Sequence, residues 1–197
     1  GTAPTAAVGY SLGGNMLGCL LAKEGDAIPV DAAVIVSAPF MLEHCCYHME
    51  SGFSRFYQRY LLNLLKANAG RKLRAYPGSL PIDLAQLRKI KRIREFDELI
   101  TARIHGFNGA IDYYRQCSAM PRLAQITVPT LIIHAKDDPF MDHHVIPKPE
   151  NLPSQVEYQL TEHGGHVGFI GGTVRRPEMW LESRIPDWLT TYLEASS

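Results

Sequence analysis

The sequence predicts an α/β fold in which helices pack on a mostly parallel sheet. Short apolar runs rich in β-branched residues alternate with segments of helical pattern, which is typical of strands that are buried on both faces. Three of these runs end in turns that carry a serine, an aspartate or a histidine. With 197 residues and 46% hydrophobic content, the chain can form one domain with a substantial core.

The first predicted unit is a strand, a tight turn and a helix. Thr5–Val8 has the pattern of a short buried strand, and Gly13–Glu24 has that of a helix. The turn between them, Gly9-Tyr10-Ser11-Leu12-Gly13, spells G-x-S-x-G, a motif that holds an exposed nucleophilic serine between a strand and a helix. The same letters also occur by chance in ordinary Gly/Ser turns, so the residues downstream must decide between the two interpretations.

The glycines around this turn have a predicted steric role. Gly9 and Gly13 are expected to leave room for the sharp turn, and a strained backbone at Ser11 is expected to lift its Oγ clear of the sheet. Gly14 and Gly18 are expected to let the helix lie close to the neighbouring strands.

A long helical segment separates the second predicted strand from the third. The second strand covers Val30–Ser37, and the third does not begin until about Thr130. The intervening stretch of about 90 residues is too long for a simple crossover, and much of it has helical spacing. Insertions of this kind often cover a binding site and determine what it accepts. We therefore assign residues 41 to about 105 to a helical cap, followed by a helix over Gly109–Ala119.

An acidic turn follows the third strand. The run Pro129–Ala135 is apolar and long enough for one buried strand, and Lys136-Asp137-Asp138-Pro139 comes directly after it. We prefer Asp138 as the functional acid because it lies three residues beyond the small residue that ends the strand. Asp137 is the alternative, and a solvated or turn-capping carboxylate is the role expected for it.

A histidine-containing loop follows the fourth predicted strand, Val156–Leu160. We prefer His166 as the functional base because the glycines at 164, 165 and 168 allow an unusual loop backbone that can approach the serine. His163 lies closer to the end of the strand. It is the alternative base, and a structural role is expected for it.

The chain order Ser, Asp, His is that of the α/β-hydrolases, and it differs from the chymotrypsin and subtilisin orders. Each candidate follows its own strand, at the sheet edge where sites form in open α/β folds. We predict that Ser11 is the nucleophile, His166 the base and Asp138 the acid. The backbone N–H of Leu12, next to the nucleophile, is the predicted oxyanion donor. This set of groups supports acyl transfer through a covalent intermediate.

Composition excludes several other classes of function. The chain has 20 basic and 20 acidic residues, so no net charge attracts it to nucleic acid. No apolar run approaches the ~18–20 residues that a membrane span needs. The four cysteines lack paired spacing, so reduced thiols and a cytoplasmic location are expected. The histidines show no metal-ligand spacing, and neither a metal nor another cofactor is predicted.

The predicted cap has two further features. Between Arg71 and Arg94 there are eight basic residues and one acid, Asp83. A solvated helix face is the first interpretation of this run, and attraction to anionic lipid or an acidic substrate is the second. A group of aromatic residues is predicted to belong to the core rather than to line a site for acyl chains. Its members are Phe53, Phe56, Tyr57, Tyr60, Tyr113 and Tyr114.

The whole chain resembles the YheT-type α/β-hydrolases, a bacterial branch of the AB-hydrolase 4 group that also holds animal membrane-anchored lipid hydrolases. The resemblance is carried by four stretches, which are Val8–Asn15, Ile111–Tyr114, His134–Phe140 and Glu162–Phe169. It implies that Ser11, Asp138 and His166 form the charge-relay set. It also implies hydrolysis of carboxylic esters with short or medium acyl chains, or of lipids, without a cofactor.

The sequence departs from that family in starting only about eight residues before the elbow. The expected N-terminal strands, and an early His-Gly loop with a second oxyanion donor, are missing. The chain is therefore interpreted as the C-terminal part of a longer enzyme, and on its own we expect it to fold poorly because its first strand lacks a partner. Two alternatives to a serine esterase stay open: an acyltransferase with the same triad, and a catalytically incompetent fragment or scaffold.

Overall fold

The structure, a computed structural model, describes residues 3–141, 143–173 and 175–194. These residues form two units. The first runs through Met41 and resumes at Ser118, and the second spans Leu42–Cys117. The second unit overlaps the predicted cap at 41–105 and also includes the helix that was predicted over Gly109–Ala119. Its role as a cap remains a prediction.

The first unit contains the predicted sheet. In the described residues it has four strands, all parallel, in the order β1-β2-β3-β4, so the prediction of an α/β fold with a parallel sheet is confirmed. The strands are β1 (Ala6–Tyr10), β2 (Ala32–Val36), β3 (Thr130–Ala135) and β4 (Val156–Thr161). Among these strands β1 pairs with β2 alone and therefore forms one edge of the described sheet.

Helices cover both faces of this sheet because successive strand residues point to opposite sides. On one face, Leu21 of α1 (Ser11–Glu24) packs in a buried cluster with Ile35 and Ile132. On the other face, α8 (Trp180–Leu193) packs with Val34 and Leu131. Its contributing side chains are Leu181, Ile185 and Trp188.

The sequence analysis did not predict the C-terminal elements. An antiparallel hairpin of β5 (Ile170–Thr173) and β6 (Arg176–Met179) leads into α8. Pro186 lies inside α8, and a proline in that position usually indicates a break in a helix. The helix continues through it because its apolar face is buried against the sheet, and that tertiary contact is absent from local sequence.

The second unit is helical in its described residues. Its helices are α2 (Leu42–His48), α3 (Ser54–Ala75), α4 (Leu84–Lys89), α5 (Ile93–Phe96), α6 (Ala102–Ile104) and α7 (Ala110–Cys117), with a π-helical turn over Asp97–Thr101. A capping box begins α4: Asp83 accepts from the Gln86 N–H, and the Gln86 side chain accepts from the Asp83 N–H. Leu62 and Leu73 of α3 pack with Phe96 in the main apolar cluster of this unit.

The prediction that the aromatic group of this unit belongs to the core is wrong for several of its members. Phe53, Phe56 and Tyr60 have exposed fractions of 70%, 70% and 64%, whereas Tyr114 is only 3% exposed. The reason is that α3 buries its opposite face, which includes Leu62, so the aromatic side of the helix faces solvent.

Candidate active site

The candidate site begins at the junction of β1 and α1, where there is no intervening loop. The strand ends at Tyr10 and the helix begins at Ser11, one residue later. Ser11 has a φ of +50°, a value that residues other than glycine rarely adopt. The strained serine predicted from the motif is therefore present, and the change of direction is concentrated at this one residue.

Two glycines allow this junction, but they are not the pair that was expected. A Cβ on Gly9 would lie 2.8 Å from Gly14 Cα, and a Cβ on Gly14 would lie 2.9 Å from the Gly9 carbonyl oxygen. Gly13 has no atom within 4 Å of the corresponding position, so the expectation that it leaves room for the turn is wrong. Gly14 and Gly18 behave as expected toward the neighbouring strand β2, since added Cβ atoms would lie 3.1 Å from Ile35 Cγ2 and 3.5 Å from Ile35 Cδ1.

Exchange of these glycines for alanine should separate their roles. We expect Gly9→Ala to lower the free energy of unfolding by about 2–3 kcal/mol, because its Cβ meets backbone atoms that cannot move aside. Gly13→Ala is the matched control, and it should change that free energy by less than about 1 kcal/mol in the stabilising direction because alanine favours a helix. Chemical denaturation measures both. Equal effects of the two substitutions would contradict this assignment.

Asp138 lies in the turn after β3, with its side chain 2% exposed. One carboxylate oxygen, Oδ2, is 2.8 Å from His166 Nδ1, and the other accepts the Phe140 N–H at 2.8 Å. Both oxygens of this buried acid therefore have partners. These two hydrogen bonds hold the carboxyl group of Asp138 in a fixed position, facing the histidine.

His166 links this acid to the serine. Its Nε2 lies 2.8 Å from Ser11 Oγ, and its side chain is 16% exposed. A carboxylate can only accept a hydrogen bond, so Nδ1 carries the ring proton and donates a hydrogen bond to Asp138. Nε2 is then free of a proton and accepts a hydrogen bond from the Ser11 hydroxyl. Phe140 contacts one face of the imidazole, with ring centroids 4.2 Å apart and planes at 31°. The structure thus brings all three preferred side chains into one hydrogen-bonded series.

The alternative acid and base pair with each other. His163 Nδ1 is 3.3 Å from Asp137 Oδ2, and the His163 side chain is 89% exposed. The other Asp137 oxygen accepts the backbone N–H groups of Gly164 and Gly165 at 2.9 and 2.8 Å. Asp137 therefore anchors the loop that carries His166 through hydrogen bonds from its backbone.

The pKa of Asp137 reflects these bonds. Desolvation is the largest single influence and acts to raise the pKa of this carboxyl, but hydrogen bonds from the N–H of Gly165, the His163 ring and the N–H of Gly164 together lower it. The carboxylate that anchors the loop consequently stays ionised at neutral pH, as the bonds to the loop require.

A buried histidine, whose role sequence reasoning did not identify, lies at the end of β3. His134 is 2% exposed, and its Nε2 donates to the Ala38 carbonyl at 3.0 Å. Burial lowers the pKa of His134 to about 4, so the ring is neutral at physiological pH. The His134 and Phe40 rings pack edge to face, with their centroids 5.3 Å apart. His134 thus ties the end of β3 to the segment after β2 and is not available as a base.

Within the part of the chain that the structure describes, no group of three or more His, Cys, Asp or Glu side chains is arranged to hold an ion.

The sequence matches a known protein family and several curated proteins. Residues 1–173 match the family described as the alpha/beta hydrolase fold. The chain is 83% identical over 197 residues to "Putative esterase YheT" of Escherichia coli (strain K12), covering 100% of this chain and 58% of that protein. It is 29% identical over 195 residues to Phospholipase ABHD3 of Homo sapiens, covering 98% of this chain and 47% of that protein. The chain therefore spans about half the length of these curated relatives.

One solved structure supports the fold alone. The uncomplexed acylaminoacyl peptidase of Pyrococcus horikoshii aligns with a TM-score of 0.51 at 14% identity, over 95% of this chain and 24% of that chain. Identity this low relates the two backbones and says nothing about their substrates.

Proposed function

This chain belongs to the α/β hydrolase fold family, and from that premise we propose that it is a serine hydrolase that cleaves carboxylic esters. The observation that carries the proposal is the pair of 2.8 Å hydrogen bonds that join Ser11 Oγ to His166 and His166 to Asp138. The order of the three groups is that of an activated nucleophile, its base and the residue that orients the base.

The first chemical step is attack by Ser11 Oγ on the carbonyl carbon of the ester. His166 Nε2 takes the hydroxyl proton as the new C–O bond forms, and the ring becomes an imidazolium. Asp138 keeps the proton on Nδ1 and stabilises the positive charge across a 2.8 Å hydrogen bond in a buried position. The carboxylate itself is not protonated in this scheme.

The tetrahedral oxyanion needs donors that are already in position. Leu12 is the second residue of α1, and the first N–H groups of a helix have no intrahelical acceptor. We assign the backbone N–H of Leu12 as one donor, supported by the positive end of the helix dipole. Collapse of the intermediate transfers the His166 proton to the leaving alcohol and forms the acyl-enzyme.

Water completes the cycle on the acyl-enzyme. His166 removes a proton from the water, the acid is released, and Ser11 regains its hydrogen. No step requires a cofactor.

The names of two relatives refer to an esterase and a phospholipase. These names favour an ester of a fatty acid, including a lipid ester, as the substrate class.

Covalent labelling by a fluorophosphonate tests the proposal. We expect the probe to modify Ser11, because its activated Oγ attacks phosphorus as it attacks a carbonyl, and peptide mass spectrometry identifies the modified residue. His166→Ala should reduce the labelling rate by at least about 100-fold, since a general base contributes 10²–10⁴-fold. His163→Ala is the matched control and should label at a rate close to that of the unmodified chain.

Two outcomes would reject the proposal. The first is a chain that is folded by thermal melting but incorporates no probe at Ser11, as a catalytically incompetent scaffold would. The second is labelling that depends on His163 and not on His166. A series of p-nitrophenyl esters, from acetate to palmitate, then identifies the preferred acyl length.

A further inference from the structure

One helix of the second unit exposes a stripe of large apolar side chains to solvent. The stripe begins at Phe53, just before α3, and continues along the first half of that helix. Its members, with their exposed fractions, are Phe53 (70%), Phe56 (70%), Tyr57 (36%), Tyr60 (64%) and Leu64 (47%). The residues recur every three or four positions, so they lie on one face of the helix. The Phe53 ring lies 5.5 Å from Phe56 and 6.0 Å from Tyr57 between centroids.

The stripe does not hold the second unit together. The opposite face of α3 supplies the core through Leu62, Ala69 and Leu73, which are less than 9% exposed and pack with α4 and α5. Contiguous apolar patches on soluble proteins mark interaction sites more often than chance allows. The stripe therefore makes no contribution to the buried cluster of this unit.

The same helix is strongly basic. Across its 22 residues, α3 has six basic residues and no acidic one. The basic residues are Arg55, Arg59, Lys66, Arg71, Lys72 and Arg74. Arg55 and Arg59 are both exposed and lie in sequence among the aromatic residues of the stripe.

A basic cleft lies along the flank of this helix, between α3 and the segment before α5. It has a volume of about 470 Å³, and five basic residues contribute to its lining. These are Arg55, Arg59, Lys66, Lys91 and Arg92. Glu50 is the acidic residue among the described residues of the lining, and its Oε2 is 3.3 Å from Arg92 Nη1. Lys66 donates to the carbonyls of Arg88 and Ile90, which fixes its position at the cleft.

We propose that the aromatic stripe and the basic cleft together dock this protein on a bilayer surface that contains anionic phospholipid. Phe and Tyr side chains at a membrane surface place their rings at the boundary of headgroups and acyl chains, while neighbouring Arg and Lys contact lipid phosphates. Within the described ranges, no helix has the length and apolarity to cross a membrane. This inference goes beyond the proposed esterase activity and does not depend on it.

Charge complementarity favours a bilayer over a second copy of the chain. A symmetric dimer built on α3 would bring together two helices that each have six basic residues and no acidic one, and such like-charge contacts are unfavourable. An anionic lipid surface instead offers negative charges to Arg55, Arg59 and the other basic residues of the cleft.

Co-sedimentation with vesicles tests the proposal. We expect binding to vesicles of phosphatidylcholine mixed with phosphatidylglycerol, and at least about tenfold weaker binding to phosphatidylcholine alone. The double variant Phe56→Ser/Tyr60→Ser should weaken binding to the anionic vesicles by at least about tenfold, because burial of its rings is lost. Arg55→Gln/Arg59→Gln should weaken it by about fivefold for each arginine, which corresponds to about 1 kcal/mol.

Matched controls use an exposed aromatic and an exposed basic residue elsewhere in the unit. Tyr76→Ser, at a position 69% exposed, and Arg103→Gln should leave vesicle binding unchanged. Thermal melting verifies that every variant is folded. Three results would overturn the proposal: no binding to anionic vesicles, an equal loss in the controls, or variants that alter the oligomeric state in gel filtration without altering vesicle binding.

Discussion

Replacement of Ser11 by alanine is expected to lower the turnover of a p-nitrophenyl ester by roughly 10⁶-fold, the effect seen when a serine hydrolase loses its nucleophile. The variant has no oxygen that can form the acyl-enzyme, so the covalent route is lost. The fold should remain intact, because the change removes only the side-chain oxygen of a half-buried residue. Alanine retains the Cβ, so the strain of the backbone at φ +50° is the same in both proteins.

Steady-state kinetics and thermal melting measure the two parts of this prediction. Ser183→Ala is the matched control: Ser183 is exposed, lies in α8 and bonds only to the Trp180 carbonyl among the contacts described. It should leave turnover unchanged. If Ser11→Ala retained full turnover and the melting temperature of the unmodified chain, the proposal that Ser11 is the nucleophile would be rejected.

Asp138→Asn is expected to lower kcat by about 10⁴-fold. The asparagine amide can donate to His166 Nδ1, which would then have to accept. The ring proton would move to Nε2, and Nε2 could no longer take the proton from Ser11. The loss therefore arises from the wrong tautomer of a correctly placed ring.

Asp137→Asn is the matched control for this change, since it makes the same chemical substitution one residue earlier. Its retained Oδ1 can still accept the N–H groups of Gly164 and Gly165, so we expect kcat to fall by less than about tenfold. Kinetics of both variants over a range of pH give kcat for each. A severe loss in Asp137→Asn with a mild one in Asp138→Asn would reassign the acid of the series.

The local sequence was sufficient to predict the strands of the sheet and the three side chains of the candidate site, because both depend on residues that are neighbours in the chain. Continuous apolar runs predicted β2 and β3, which are buried at every position because helices cover both of their faces. A short apolar run predicted β1 and an alternating run predicted β4, and all four strands were placed within two residues of their observed bounds. β1 was expected to be buried, but most of its residues are half-buried or exposed. The G-x-S-x-G turn and the order Ser11, Asp138, His166 selected the three side chains that the structure brings within hydrogen-bond distance. These signals were readable because each candidate follows directly on its own strand.

Only the tertiary structure decided which residues meet across the chain. It showed that Gly14, rather than Gly13, contacts Gly9 at the elbow, because that contact depends on how α1 crosses β1. It gave Asp137 a defined partner in the loop before His166, some 27 residues away in sequence. It also placed Phe53, Phe56 and Tyr60 in solvent. Helical spacing identifies which residues share a face, but the packing of other elements determines which face is buried.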